Sequence, residues 1–147
     1  MPHIDTNRLS RAAKQEAGRI GNRIQEKYLR HRRLPKEADY PAVTSACCTL
    51  FTQKIYVDHS RGVIAKHLNK QLRDALENII GPINGESPFP GCKSRIGHCA
   101  EQHAADKLLK DQPRSTICDI YFGNAYRPRT GTIIAPCDNC TSVFPNL

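Results

Sequence analysis

The sequence contains no tryptophan, one methionine and no uninterrupted apolar run that approaches the ~20 residues of a membrane span. Its first residues, MPHIDTNRLSR, lack the apolar stretch of a signal peptide, so we predict that there is none. Internal repeats and low-complexity segments are also missing. These absences exclude a membrane protein, a collagen-like fibre and a coiled-coil rod. The chain has 147 residues, of which 39% are apolar. This length and composition suit one small α/β or α+β domain.

Cysteine is unusually abundant in this chain. Seven cysteines occur in 147 residues. A secreted disulfide scaffold more often has an even count and a leader sequence. The other common use of many cysteines, in a reducing compartment, is a metal site, so the spacing of the cysteines has to decide.

Positive charge is concentrated near the N-terminus. Residues 1–36 hold ten Lys/Arg and three acids, a net charge of +7, whereas residues 37–147 have a net charge of +1. We therefore divide the chain into a basic helical arm, 1–36, and a body, 37–147. Apolar residues at spacings of three and four predict a helix in the arm, with Thr6 or Asn7 as its cap and Pro35 beyond its end.

The arm has three interpretations. It is an amphipathic helix packed on the body with a solvated basic face, a segment that contacts the phosphates of a nucleic acid, or a linker to upstream domains. A run of charge alone does not separate these three interpretations.

The body alternates between strand and helix patterns. Residues 42–51 and 54–59 are short runs rich in β-branched residues and predict a hairpin. Helical spacing follows at 63–80 and 99–110, a strand pattern at 115–123, and a short helix after residue 136. This order predicts an α/β fold in which helices cover a small sheet.

Two clusters at predicted helix starts carry the chemistry. One contains Cys99 and Glu101, and the other is Pro136-Cys137-Asp138-Asn139-Cys140. The positive end of a helix favours the thiolate that zinc needs. Three thiolate ligands leave one tetrahedral position open, which distinguishes a catalytic zinc from a structural one. Glu101 follows two residues after a ligand and would serve as the proton carrier.

These two motifs resemble the signature of the zinc-dependent cytidine deaminase superfamily, His- or Cys-x-Glu followed by Pro-Cys-x-x-Cys. The resemblance covers residues 97–140 closely and the body from residue 42 loosely. It implies a three-layer fold with a small central sheet flanked by helices, to which the basic helix is added. It also implies one zinc ion held by Cys99, Cys137 and Cys140, Glu101 as proton shuttle, and backbone at Ala100 and Pro136 bordering the base.

The resemblance implies a hydrolytic reaction. Activated water attacks C4 of cytosine, Glu101 passes protons to N3 and to the leaving amino group, and ammonia departs to leave uracil. An adenine would be attacked at C6 by the same logic. The region after the hairpin has no clear counterpart of the Asn-x-Glu segment with which free cytidine deaminases hold ribose.

A short body with its motif near the end also resembles the deaminase domains of bacterial polymorphic toxins. This likeness favours a nucleic acid substrate, single-stranded or locally opened DNA above all, and leaves open a neutralising immunity protein as a partner. It places the protein in the cytoplasm or, as an effector, in a target cell.

The loop before the second motif contains four candidate substrate contacts: Asn124, Tyr126, Arg127 and Arg129. In one interpretation the loop lines the mouth of the base pocket, where it stacks on a base and contacts phosphates. In the other it is a solvated basic turn.

Two other functions stay open at this stage. A deaminase of free nucleosides or nucleotides would share the same zinc site. A non-catalytic zinc module would instead take His98 or Cys92 as a fourth ligand, with its basic arm binding nucleic acid or a partner.

Overall fold

The computed structural model describes residues 4–147, so the first three residues of the predicted arm lie outside it. Within this range no helix combines the length and the apolar character that crossing a membrane requires. The elements, in chain order, are α1 Thr6–Arg30, β1 Thr44–Thr49, β2 Tyr56–His59, α2 Lys70–Ile79, α3 Ala100–Asp111, β3 Ile120–Phe122, β4 Ala125–Tyr126, β5 Ile133–Ile134 and α4 Asp138–Val143.

The strands form one antiparallel sheet with β1 in its centre. β1 pairs with β2 on one side. On the other side it pairs with β3, where Cys48 faces Tyr121, and with β4, where Thr44 faces Tyr126. β5 pairs with β4 at the edge. The predicted hairpin and the mixed α/β class are confirmed.

Helices cover both faces of this sheet. Side chains alternate along β1, so Ala46 and Cys48 pack on the α1 side while Cys47 joins the core beneath the other helices. All six residues of β1 are buried. The molecule therefore has three layers: α1, the sheet, and a layer formed by α2, α3 and α4.

The helix α1 packs through a narrow apolar stripe and carries its charge on the outside. The helix is capped by Asp5 rather than by Thr6 or Asn7, because the Asp5 carboxylate accepts a hydrogen bond from the Asn7 backbone N–H at 3.0 Å. The stripe consists of residues spaced three or four apart that are all buried, namely Leu9, Ala13, Ala17 and Ile20.

Gly21 allows α1 to approach the loop after β4. A Cβ at this position would lie 2.5 Å from the carbonyl oxygen of Pro128, too close for any side chain. A glycine inside a helix costs about 1 kcal/mol relative to alanine. Here that cost is offset because the helix can pack directly against backbone.

Two predicted elements begin later than their sequence pattern does. The helix expected from residue 63 starts at Lys70, since the Asn69 side chain caps it by accepting from the Leu72 N–H at 3.2 Å. The strand expected from residue 115 starts at Ile120, because the Asp119 carboxylate bonds the Thr116 N–H at 2.7 Å and closes a 3₁₀ turn. In both cases a local side-chain hydrogen bond outweighs hydrophobic periodicity.

Candidate functional site

Three cysteine thiols from two helix starts meet beneath the sheet. The Sγ atoms of Cys99 and Cys137 are 3.2 Å apart, and those of Cys137 and Cys140 are 3.8 Å apart. All three atoms lie within 4.8 Å of one another and form a group that could hold a metal ion. The structure thus brings together the three ligands predicted from the sequence.

The local sequence explains why these thiols converge. Cys99 and Cys137 are the N-cap residues of α3 and α4, and Cys140 lies in the first turn of α4. Gly97, two residues before the first cap, has φ +93°, and a Cβ there would lie 2.9 Å from a Val63 methyl group. Only glycine meets both conditions without strain, so it sets the direction in which α3 begins.

The geometry and chemistry of the donor set fit zinc. Sulfurs at the corners of a tetrahedron with Zn–S bonds of about 2.3 Å are about 3.8 Å apart. The Cys137–Cys140 separation of 3.8 Å equals this value, the Cys99–Cys137 separation of 3.2 Å is shorter, and all three sulfurs lie within 4.8 Å of one another. Thiolates favour zinc and other soft or borderline metals, whereas Mg²⁺ and Ca²⁺ prefer oxygen ligands.

The thiols ionise unequally. Contacts with the Cys140 and Cys99 sulfurs, together with backbone N–H groups, hold the pKa of Cys137 far below its ordinary value. The nearby Cys137 sulfur raises the pKa values of Cys99 and Cys140, and burial raises them further. Deprotonation of all three therefore requires a positive charge among the sulfurs, which a metal ion provides.

A buried carboxylate lies beside this cluster. Glu101 is only 5% exposed, and its Oε2 accepts from the Cys140 Sγ at 3.7 Å. Burial raises its pKa above the ordinary value, and the charge on Cys137 adds to the effect. The Cys140 sulfur also accepts a hydrogen bond, at 3.6 Å, from Nε2 of the fully buried Gln102.

No fourth protein ligand joins the three thiols among residues 4–147. His98, the first candidate from the sequence, has its Nε2 hydrogen-bonded to the Asn84 Oδ1 at 2.7 Å. Cys92, the second candidate, lies outside the group of converging donor atoms. This arrangement favours a site with one open position over a closed structural site.

A pocket of about 410 Å³ opens onto the cluster. Cys99, Glu101 and Cys137 line it, together with Ala100 as expected from the sequence. Its volume falls within the ~300–1,000 Å³ range of small-molecule sites. A ligand in this pocket would therefore reach the thiols and the carboxylate together. We call this the inner pocket.

The other substrate contacts predicted from the sequence do not line the inner pocket. Pro136 and Asn124 line a separate cavity of about 320 Å³, which shares Glu101 with the inner pocket. Tyr126 is buried between the sheet and α1, where its ring packs in the core and is not available to stack on a base. Arg127 and Arg129 are exposed and line a neighbouring pocket of about 230 Å³.

The sequence did not predict the tyrosine and the three cations that line the inner pocket. Tyr40 lies just before β1, and three cations lie on loops: Arg61 after β2, and Lys93 and Arg95 before α3. These four side chains reach the inner pocket because loops that are far apart in sequence pack together. The Pro/Gly-rich composition of residues 81–91 predicts a loop but gives no signal of where the loop folds.

Comparisons with protein-family models, curated proteins and solved structures find no match to this chain. A function for it must therefore be argued from its own residues. Those residues provide three converging thiols, a buried carboxylate and a pocket that reaches both.

Proposed function

We propose that the protein is a zinc-dependent hydrolytic deaminase that converts cytosine to uracil in nucleic acid, with single-stranded or locally opened DNA as its favoured substrate. The observation that carries this proposal is the position of Glu101. Its carboxylate lies against one thiol of the cluster and also lines the inner pocket. A proton carrier next to an open metal position is what hydrolytic deamination requires.

Each part of the site has a separate task. Cys99, Cys137 and Cys140 would hold the zinc ion, which when bound supplies Lewis-acid activation of water. Glu101 would take the two protons of the attacking water in turn and deliver one to ring N3 and the other to the amino nitrogen. The reaction consumes one water and releases one ammonia, because the oxygen replaces the amino group at C4. The walls of the inner pocket orient the base and exclude bulk water.

Nucleic acid as substrate is supported by charge around the inner pocket. Arg61, Lys93 and Arg95 line it, and Glu101, the one carboxylate among its described lining residues, is buried. Asp58 pairs with Arg61, so Lys93 and Arg95 provide most of the unbalanced charge. A neutral nucleoside offers no partner for these cations, whereas the phosphates of a nucleotide or a polynucleotide do.

Two aspects of the substrate follow from the chemistry and the sequence. The inner pocket requires the base to be unpaired or flipped, because the target atoms are out of reach inside a duplex. Action as a toxin with an immunity partner stays a prediction of the sequence resemblance.

The test is a parallel incubation of the zinc-loaded protein with single-stranded DNA, duplex DNA, RNA and cytidine, with uracil formation as the readout. We expect uracil in single-stranded DNA. Glu101→Gln and Glu101→Ala should lower the rate by ~10²–10⁴-fold while zinc content stays at one per chain. Glu77→Gln, an exposed position on α2, is the matched control and should retain full activity.

Three results would count against the proposal. Full activity in both Glu101 variants would remove the carboxylate from the mechanism. Turnover of cytidine alone would move the function to free nucleosides. Bound zinc without turnover of any of the four substrates would favour the non-catalytic module.

A further inference from the structure

A second depression on the protein surface borders the inner pocket. The pocket lined by Arg127 and Arg129 shares Tyr40, Pro41 and Ala42 with the inner pocket. We call the two together the groove. It therefore runs from the thiol cluster, across the segment before β1, to the loop after β4.

Five cations line the groove, against two carboxylates: the buried Glu101 and the exposed Glu37. Arg61, Lys93 and Arg95 lie at the inner pocket, and Arg127 and Arg129 at the outer one. Within residues 4–147, no carboxylate forms an ion pair with Lys93, Arg95 or Arg127. Arg129 is 3.7 Å from Glu37, but both side chains are at least half exposed, so the pair is weak.

Hydrogen bonds hold the loop that carries one half of this charge, two of them through a buried asparagine. Asn139, fully buried on α4, accepts from the Ser87 hydroxyl at 2.7 Å and donates to the Ser94 carbonyl at 3.0 Å. Arg95 in turn donates to the Asn84 carbonyl at 3.0 Å. The loop that carries Lys93 and Arg95 is thus anchored to the same helix start that supplies two of the thiols.

An aromatic ring lies where the two pockets join. Tyr40 lines both pockets and is half-buried, whereas the tyrosine expected from the sequence, Tyr126, is in the core. Alternation of an aromatic ring with cations is the usual composition of a surface that binds single-stranded nucleic acid, because bases stack on the ring while phosphates meet the cations.

We propose that the groove binds a single strand of nucleic acid across Tyr40. The target base enters the inner pocket, the neighbouring base stacks on the Tyr40 ring, and the phosphates contact Lys93 and Arg95 at one end and Arg127 and Arg129 at the other. That the base in the inner pocket is a cytosine rests on the proposed function. The binding of a single strand along the groove does not depend on that function.

The test measures binding of a fluorescent oligothymidylate, which contains no cytosine and is not turned over, by anisotropy over a range of salt concentrations. Arg127→Gln with Arg129→Gln should lower the salt slope by about 1.4, since each single-strand phosphate contact contributes about 0.7. Lys93→Gln with Arg95→Gln should do the same. Lys66→Gln with Arg114→Gln, exposed cations outside the groove, should leave the slope unchanged.

The role of Tyr40 is tested separately. Tyr40→Leu, which keeps apolar bulk without a ring, should weaken binding about 5- to 150-fold, as expected for loss of one stacked base. Tyr40→Phe should bind like the unmodified protein. Phe51→Ala is the control, because Phe51 is exposed but lies outside the groove.

The results separate this inference from the proposed function. Equal affinities and salt slopes in the groove and control variants would overturn the inference, even if the protein forms uracil. Loss of binding confined to the groove variants would support it, even if no uracil forms. Thermal melts of each variant establish that the fold is intact.

Discussion

At the scale of single residues, the site consists of three sulfurs and one carboxylate that two helix starts bring into contact. Cys140 contacts both Glu101 and Gln102 through its sulfur. Three thiols and a carboxyl group this close together could not all ionise without a cation to balance their charge. The composition of this cluster is therefore better explained by metal binding than by packing.

The first prediction at this scale concerns zinc content. Cys137→Ser removes one of the three converging thiols, and we expect zinc to fall well below one ion per chain. Cys118→Ser is the matched control, because Cys118 is exposed and lies outside the cluster. Both are measured by elemental analysis after gel filtration. Zinc that stays at one per chain in Cys137→Ser would rule out this thiol as a ligand.

At the scale of elements, the packing of α1 explains one of the two glycines inside this helix and not the other. A Cβ on Gly18 would meet nothing within 4 Å, whereas a Cβ on Gly21 would lie 2.5 Å from the Pro128 carbonyl oxygen. The two positions are three residues apart in the same helix but differ in surroundings. They form a natural pair for testing how α1 packs.

We expect opposite signs from the two alanine substitutions. Gly18→Ala should stabilise the protein by about 0.5–1 kcal/mol, because alanine favours the helix and restricts the unfolded chain. Gly21→Ala should destabilise it, since the new methyl group must displace Pro128 or the helix. Urea unfolding gives both free energies. Stabilisation in both variants would show that α1 does not pack on the loop as described.

Sequence patterns were sufficient for some of these elements. The starts of α3 at Ala100 and of α4 at Asp138 follow from the residues around each start, and these local preferences do not depend on how the rest of the chain folds. The placement of Tyr126 could not be predicted in this way. Its side chain points to the α1 layer because of the register between β1 and β4, and a shift of one residue would reverse that orientation.

At the scale of the whole molecule, three layers bring the chemistry to one end of the core. α3 and α4 start side by side in the layer opposite α1, and the loops before β1 and before α3 complete the walls of the inner pocket. Contacts between such distant segments have no sequence period, so Tyr40, Lys93 and Arg95 were not predictable. Nucleic acid binding by the basic face of α1 stays a prediction of the sequence.

The central claim is that three thiolates hold one zinc ion and leave its fourth position open toward Glu101. X-ray absorption at the zinc edge of the purified protein tests it most directly. We expect three sulfur neighbours at about 2.3 Å and one light neighbour without the scattering pattern of an imidazole. Four sulfur neighbours, or three with an imidazole, would contradict it.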